Sequence, residues 1–264
     1  MKICVLVKQV PATDKVKMDE KTGTMIRTEM EAELNPLDMY AVEEAVRVKE
    51  RMGGDAKITV ISMGPLMAAD AIKDAISMGC DEGYLISDKL LAGSDTWATA
   101  YTLSEAIKYL GGFDLIFCGE RATDGETGQV GPSVASFLGI PALTYVSKIE
   151  KLERGYIRVW RVVEGGYEVV ETDLPALLSV VKEINEPRLP NLSGKLRAKE
   201  IQIPILTVEK LNLDRKLIGL EGSPTRVVKI FYPKLSRGGK IISGKDPYKA
   251  VSELIVFLES KGIL

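Results

Sequence analysis

Short apolar runs alternate with stretches of helical spacing through the first 146 residues. The runs at residues 3–8, 57–62, 83–87, 113–118 and 142–146 predict strands. Between them Met39, Val42 and Val46 recur at helical spacing, as do Leu103, Ile107 and Leu110, and then Val130, Val134 and Phe137. A further helix is predicted from Pro65 to Gly79, with proline at its start and glycine at its end. Strands separated by helices imply right-handed crossovers and a mainly parallel, doubly wound, Rossmann-like α/β sheet. Ligands of such sheets lie beyond the carboxyl ends of the strands. Segments 8–11, 63–65, 87–96 and 119–132 all emerge on that edge.

The pattern then changes. Residues 156–162 and 167–171 alternate about a Gly165-Gly166 turn and predict a hairpin, and residues 174–181 predict one more strand. Beyond Glu183 the chain carries six prolines and little periodicity, which suggests an extended arm that finds its partners elsewhere. Its end reads as a helix, with Asp246 as N-cap, Pro247 in the first turn, and Tyr248, Val251, Leu254, Ile255 and Leu258 on one face. The expected division is a nucleotide-binding domain at residues 1–184 and a partner-recognition loop and arm at residues 185–264.

Residues 119–132 read GERATDGETGQVGP and follow an apolar run. Strand, glycine-rich turn and helix start is a geometry in which backbone N–H groups meet a phosphate. Thr127 is the candidate N-cap, and Pro132 in the first helical turn loses no needed hydrogen bond. Asp124 and Glu126 repel a phosphate at close range and are read as backbone caps or holders of ribose hydroxyls. A surface connection of no ligand value is the competing reading. The segment matches neither G-x-G-x-x-G nor the P-loop pattern, so dehydrogenase and NTPase readings lose their main support.

Composition narrows the chemistry. The 264 residues contain no histidine, which removes Ser-His-Asp, Cys-His and HExxH systems; neither a catalytic residue nor a metal ligand set is assigned. Any redox or transfer step then rests on a bound cofactor. Cys4, Cys80 and Cys118 have no CxxC spacing and point to a reducing cytoplasm. A net charge of −2 gives no case for nucleic acid, and no apolar stretch is long enough for membrane insertion. The N-terminal apolar run is broken at Lys8 and Gln9 with no cleavage site after it, and is read as a core strand rather than a signal segment.

Other segments carry weaker signals. Lys8 ends the first strand and can approach a phosphate or remain a solvated strand end. Asn35 and Pro36 read as N-cap and first residue of a helix, with Asp38 favoured there by the helix dipole; a mere helix start is the simpler reading. Gly93-Ser94-Asp95-Thr96 offers another helix N-terminus. Residues 187–199 combine two prolines, leucines and four basic residues, the composition of either a docking loop or a solvated linker.

Together these segments resemble the beta subunit of electron-transfer flavoproteins. The resemblance runs nearly end to end: VKQVP at 7–11, NPLDMYAVEEAVRVKE at 35–50, Gly64-Pro65, Ser77-Met-Gly-Cys-Asp81, ATDGETGQVGP at 122–132 and NEPRLPNLSGKLRAK at 185–199. It implies an adenine-nucleotide alpha-hydrolase-like α/β sheet with a hairpin extension and a C-terminal arm embracing an alpha subunit that carries FAD. By position it implies nucleotide contacts at Leu6, Val7, Lys8, Gln9, Val10, Asn35, Pro36, Leu37, Asp38, Met63 and Gly64. It extends them to Ala122, Thr123, Asp124, Gly125, Glu126, Thr127, Gly128, Gln129, Val130, Gly131, Pro132 and Ser133. Pro187, Arg188, Leu189, Pro190, Leu192 and Lys195 match the loop that docks a flavin-dependent dehydrogenase, of acyl-CoA or 2-hydroxy acid type, with Leu192 as its anchor.

Members of the family differ in the nucleotide that the beta subunit holds. Residues 124–132 resemble the electron-bifurcating group, which holds FAD, with Glu126 and Gly128 as departures; Ala12 stands where an acidic residue is common. Ser94, Asp95 and Thr96 resemble the same group, where NADH approaches the flavin. The implied chemistry is hydride transfer from NADH, one electron passing to the alpha-subunit flavin and dehydrogenase and the other to ferredoxin or flavodoxin. The alternatives are a beta subunit holding a structural AMP and a free-standing adenylate-binding sensor. An ATP-using adenylating enzyme is more distant, since no glycine-rich loop follows the first strand.

Overall fold

Neighbouring residues of the first strand enter two different cores. In β1 (Lys2–Leu6), Ile3 and Val5 join one cluster of buried side chains, while Cys4 and Leu6 join another. A strand buried on both faces shows a continuous apolar run, which is why β1 is legible without alternation. The structure, a computed structural model, describes residues 1–12, 32–153, 155–228 and 241–264.

β2 (Gln9–Pro11) and β3 (Ala32–Leu34) form a small antiparallel ribbon. The main sheet contains β1, β4 (Lys57–Met63), β5 (Glu82–Ile86), β6 (Leu115–Gly119), β7 (Ala142–Glu153), β8 (Tyr156–Val163), β9 (Gly166–Asp173), β10 (Ala176–Val180) and β11 (Ile205–Leu206). Its spatial order is β11-β5-β4-β1-β6-β10-β7-β8-β9, parallel except for the two pairings of β8. α1 (Pro36–Arg51) and α2 (Ala69–Met78) pack on one face, through Val42, Val46, Ile72 and Ile76. α3 (Thr96–Tyr109) and α4 (Val130–Leu138) pack on the other, through Leu103, Ile107 and Val134. This is the expected doubly wound, Rossmann-like sheet. The chain proceeds from β1 to β4 and β5 on one side and returns through β6 on the other, so strand order reverses between β1 and β6.

Several boundaries differ from expectation. β1 ends at Leu6 instead of residue 8, because Lys8 N donates to the Asp38 side chain rather than to a neighbouring strand. β7 runs to Glu153, well past residue 146. Register shifts between Val146 and Lys148 and between Ile149 and Lys151 break its alternation, which hides the strand from a period-2 reading.

The segment after residue 185 is more regular than an arm. It forms α5 (Leu192–Glu200), β11 on the sheet edge beside β5, and the short helix α6 (Gly219–Gly222). β11 is held by Leu85 N donating to Pro204 O and Ser87 N to Leu206 O, contacts that no local periodicity announces. One compact unit spans Met1–Val227 and a second Val228–Leu264. The expected boundary at 184/185 therefore cuts through packed structure. Residues 229–240 of the expected arm lie outside the described residues. In the second unit Asp246 caps α7 (Pro247–Ser260) through Tyr248 N and Lys249 N, as the sequence predicts. Among the described residues no helix is long and apolar enough to cross a membrane.

Candidate functional site

A cleft of about 610 Å³ opens at the carboxyl ends of β1, β4 and β6, beside the reversal of strand order. That volume lies within the range of about 300–1,000 Å³ for small-molecule sites. Leu6, Val7 and Lys8 contribute from β1 and the residues after it, Met63 from β4, and Cys118 and Gly119 from β6.

Asp38 joins two of these strand ends. One carboxylate oxygen accepts Lys8 N at 2.8 Å and the other accepts Gly119 N at 3.2 Å. A Cβ at residue 119 would stand 2.5 Å from Asp38 Oδ1, so only glycine lets the strand end approach. Burial pushes the Asp38 pKa up from 3.8 to about 7, only partly offset by the N–H groups of Lys8 and Gly119. Asp38 is thus more than the helix-dipole residue that its position suggests.

The loop between β6 and α4 forms one wall, with Glu120, Arg121, Ala122, Gly125, Glu126, Thr127 and Gly128 on the cleft. Asn35 occupies the N-cap position of α1 as expected, with Pro36 next, but its side chain makes no capping bond and braces this wall: its amide donates to Arg121 O at 3.0 Å and accepts Thr123 N at 3.2 Å. Glu126 N donates to Ala122 O at 2.8 Å, and Glu126 and Gly128 take positive φ of 52° and 63°. This double left-handed turn moves the helix start, so Gln129 is the N-cap of α4 rather than Thr127, and no side chain caps it. The first-turn N–H groups of Val130 and Gly131 have no intrahelical carbonyl to meet and lie on the cleft. Lys8 Nζ sits 2.6 Å from Asp124 Oδ1 at the rim.

The opposite wall comes from Leu91, Gly93, Ser94, Asp95, Thr96, Thr99 and Leu103, closed by Thr225. Asp95 caps α3 through Trp97 N and Ala98 N. Burial raises its pKa, but hydrogen bonds from Ala98, Thr225 and Trp97 outweigh this and hold it below the usual carboxylate range.

Of the expected contacts, Gln9, Val10, Asn35, Pro36, Leu37, Gly64, Thr123, Asp124, Pro132 and Ser133 are not on the cleft surface. Asn35 and Asp124 reach cleft residues from behind, through Arg121 O and Lys8 Nζ, whereas Gln9 Nε2 donates to Met67 O and Gly64 N to Ile86 O, away from the cleft. Leu91 and Gly93 fall in the segment 87–96 expected on the ligand edge, without being singled out as contacts, whereas Thr99, Leu103 and Thr225 are not marked by the sequence. Thr99 and Leu103 lie on α3 just past that segment, at ordinary helical positions, and Thr225 has no local signal.

In the second segment of interest, Leu189 and Leu192 are 87% and 74% exposed, and Lys195 is exposed. Pro187 and Pro190 are half-buried. Arg188 does not face outward as a docking cation would; its guanidinium is held by Glu43 and Glu50 of α1.

The model of the electron transfer flavoprotein domain matches residues 22–211. The chain belongs to the electron transfer flavoprotein family. Electron transfer flavoprotein subunit beta of Thermoanaerobacterium thermosaccharolyticum is 44% identical over 265 residues, covering 100% of both chains. The same subunit of Megasphaera elsdenii is 44% identical over 93% of both. The caffeyl-CoA reductase-Etf complex subunit CarD of Acetobacterium woodii is 42% identical over 100% of both. The chain functions as an electron transfer flavoprotein beta subunit, and its glycine-rich loop and most of its sheet lie inside the family match.

Proposed function

We propose that this beta subunit holds FAD in the cleft, takes electrons from NADH and divides them between two acceptors. The observation that carries the reading is the chemical difference between the two walls. On the α4 side, the first-turn N–H groups of Val130 and Gly131, which have no intrahelical acceptor, suit phosphate, with Lys8 and Arg121 offsetting the carboxylates of Asp124, Glu120 and Glu126 beside them. On the α3 side, apolar Leu91 and Leu103 alternate with the hydroxyls of Ser94, Thr96 and Thr99, suiting a ring and its sugar-like chain. AMP has one short reach from phosphate to base, whereas a dinucleotide fills both. These donors and the cleft volume fit FAD.

When bound, FAD supplies hydride acceptance from NADH and one-electron transfer to the alpha-subunit flavin and to ferredoxin or flavodoxin. The chain's own part is positional and electrostatic. The α4 N-terminus and Lys8 hold negative charge, and Asp38 fixes the strand ends beneath the site. Exposed Leu192, at the start of α5 just after the segment anchored by Arg188, is the contact for an acyl-CoA or 2-hydroxy acid dehydrogenase. The relation to CarD, a subunit of a reductase–Etf complex, supports the same reading. Buried thiols at Cys4, Cys80 and Cys118 are compatible with a reducing cytoplasm.

The deciding measurement is the nucleotide released from the purified complex with the alpha subunit. Two FAD per heterodimer, with flavin reduction by NADH in the absence of oxygen, is expected. One FAD and one AMP would overturn the assignment.

A further inference from the structure

The cleft wall opposite α4 is completed from 130 residues further along the chain. Thr225 N and Oγ1 both donate to Asp95 Oδ2, at 2.9 and 2.8 Å. The other oxygen of Asp95 accepts Trp97 N and Ala98 N, each at 3.0 Å. Two further bonds lock the segment in place: Asp95 N donates to Ser223 Oγ at 2.8 Å, and Gly219 N to Ser94 Oγ at 3.1 Å. Gly219 has φ of 60°, and a Cβ there would collide with Leu90 O.

A threonine hydroxyl has one proton and two acceptor lone pairs. With that proton committed to a carboxylate, the Thr225 hydroxyl has only acceptor capacity left for the cleft. The neighbouring negative charge disfavours phosphate at this wall, and Asp95 already satisfies the first N–H groups of α3. We propose that Asp95 is a positioning residue that presents Thr225 as an acceptor for an N–H or O–H group on the part of the nucleotide remote from its phosphates. This rests on the reading of the cleft as a nucleotide site with phosphates toward α4, and adds to it a fixed acceptor, the Thr225 hydroxyl, for a donor at the opposite end of the ligand.

The test uses the complex with the alpha subunit, stripped of nucleotide and titrated with FAD and with AMP. Thr225→Val removes the hydroxyl at similar volume, and Thr225→Ser keeps it. Asp95→Asn keeps one oxygen for the α3 cap but sets its NH2 against both Thr225 N and Oγ1, so it removes the acceptor that fixes the Thr225 backbone and turns the hydroxyl's proton toward the cleft. Thr225→Val and Asp95→Asn are expected to weaken the bound nucleotide about five- to tenfold, and Thr225→Ser by less than about twofold. Wild-type affinity in Thr225→Val overturns the proposal, and so does an equal loss in Thr225→Ser. A wild-type complex that binds neither nucleotide overturns the cleft reading itself, and this assignment with it.

Discussion

The guanidinium of Arg188 grips Glu43, its Nε 2.7 Å from Oε2, although the two residues are 145 apart in the chain. The Glu43 side chain is only 3% exposed, and Arg47 is its other partner at 2.9 Å. Burial raises the Glu43 pKa, but the two arginines outweigh it and hold the carboxyl below its usual range. The second ion pair of Arg188, to Glu50, is exposed and contributes little.

Arg188→Met is therefore expected to destabilise by about 2–3 kcal/mol, chiefly by leaving Glu43 short of a partner. Arg188→Lys is expected to recover only part of this, because an ammonium cannot fork across two oxygens. Denaturant unfolding of the complex measures both. An unchanged midpoint in Arg188→Met would mean that Arg47 alone suffices. The same variant is expected to slow association with the dehydrogenase, since Leu189 and Leu192 lose a fixed base.

Asp38 makes stability depend on pH. Its folded-state pKa of about 7 lies above the unfolded 3.8, so the folded chain binds the proton more tightly. That stabilisation is complete below about pH 3.8 and is lost as pH rises through 7. Each pH unit across this window is worth about 1.4 kcal/mol at most. Asp38→Asn is expected to lower stability at pH 5.5 and to flatten the decline between pH 5.5 and 8. Denaturant midpoints of both proteins at the two pH values check this. Parallel curves would place the titration on another group.

Much of the fold was legible because burial leaves a pattern in the chain. β1, β4 and β6 show apolar runs, and Gly79 ends α2 at φ of 135° as expected. What stayed hidden depends on side chains meeting over long separations. Asn35 looks like a cap, yet its amide is spent on a loop 86 residues away. Thr127 looks like an N-cap, but positive φ at Glu126 and Gly128 shifts the helix start. Asp38 looks like a helix-dipole residue until β6 arrives to share it. Thr225 belongs to a proline-containing stretch without periodicity, and only the tertiary structure places it on the cleft.

Glycines in the loop before α4 and in its first turn have opposite tolerances. A Cβ at Gly131 would stand 2.7 Å from Cys118 Sγ, whereas one at Gly125 meets nothing within 4 Å. Gly131→Ala is expected to cost about 1–3 kcal/mol by overpacking, and Gly125→Ala less than about 0.5. Adding Cys118→Ala to Gly131→Ala is expected to restore part of the loss by removing the sulfur. Thermal unfolding of the single and double variants resolves the coupling, and strict additivity would exclude that contact as its source.

Lys8 separates stability from binding. Its ion pair with Asp124 joins side chains that are 46% and 27% exposed, so it adds at most about 1 kcal/mol to folding. Lys8→Met is accordingly expected to leave the melting temperature of the stripped complex nearly unchanged. If Lys8 instead faces the phosphates of the bound nucleotide, the variant weakens binding about tenfold and flattens its dependence on salt between 50 and 300 mM. Asp124→Asn frees the ammonium from its competitor and is expected to strengthen binding modestly. Titration at the two salt concentrations measures all three effects. Full affinity with full salt dependence in Lys8→Met would leave phosphate to the N–H groups of Val130 and Gly131 and to Arg121, and reduce Lys8 to a cation that steadies the loop through Asp124.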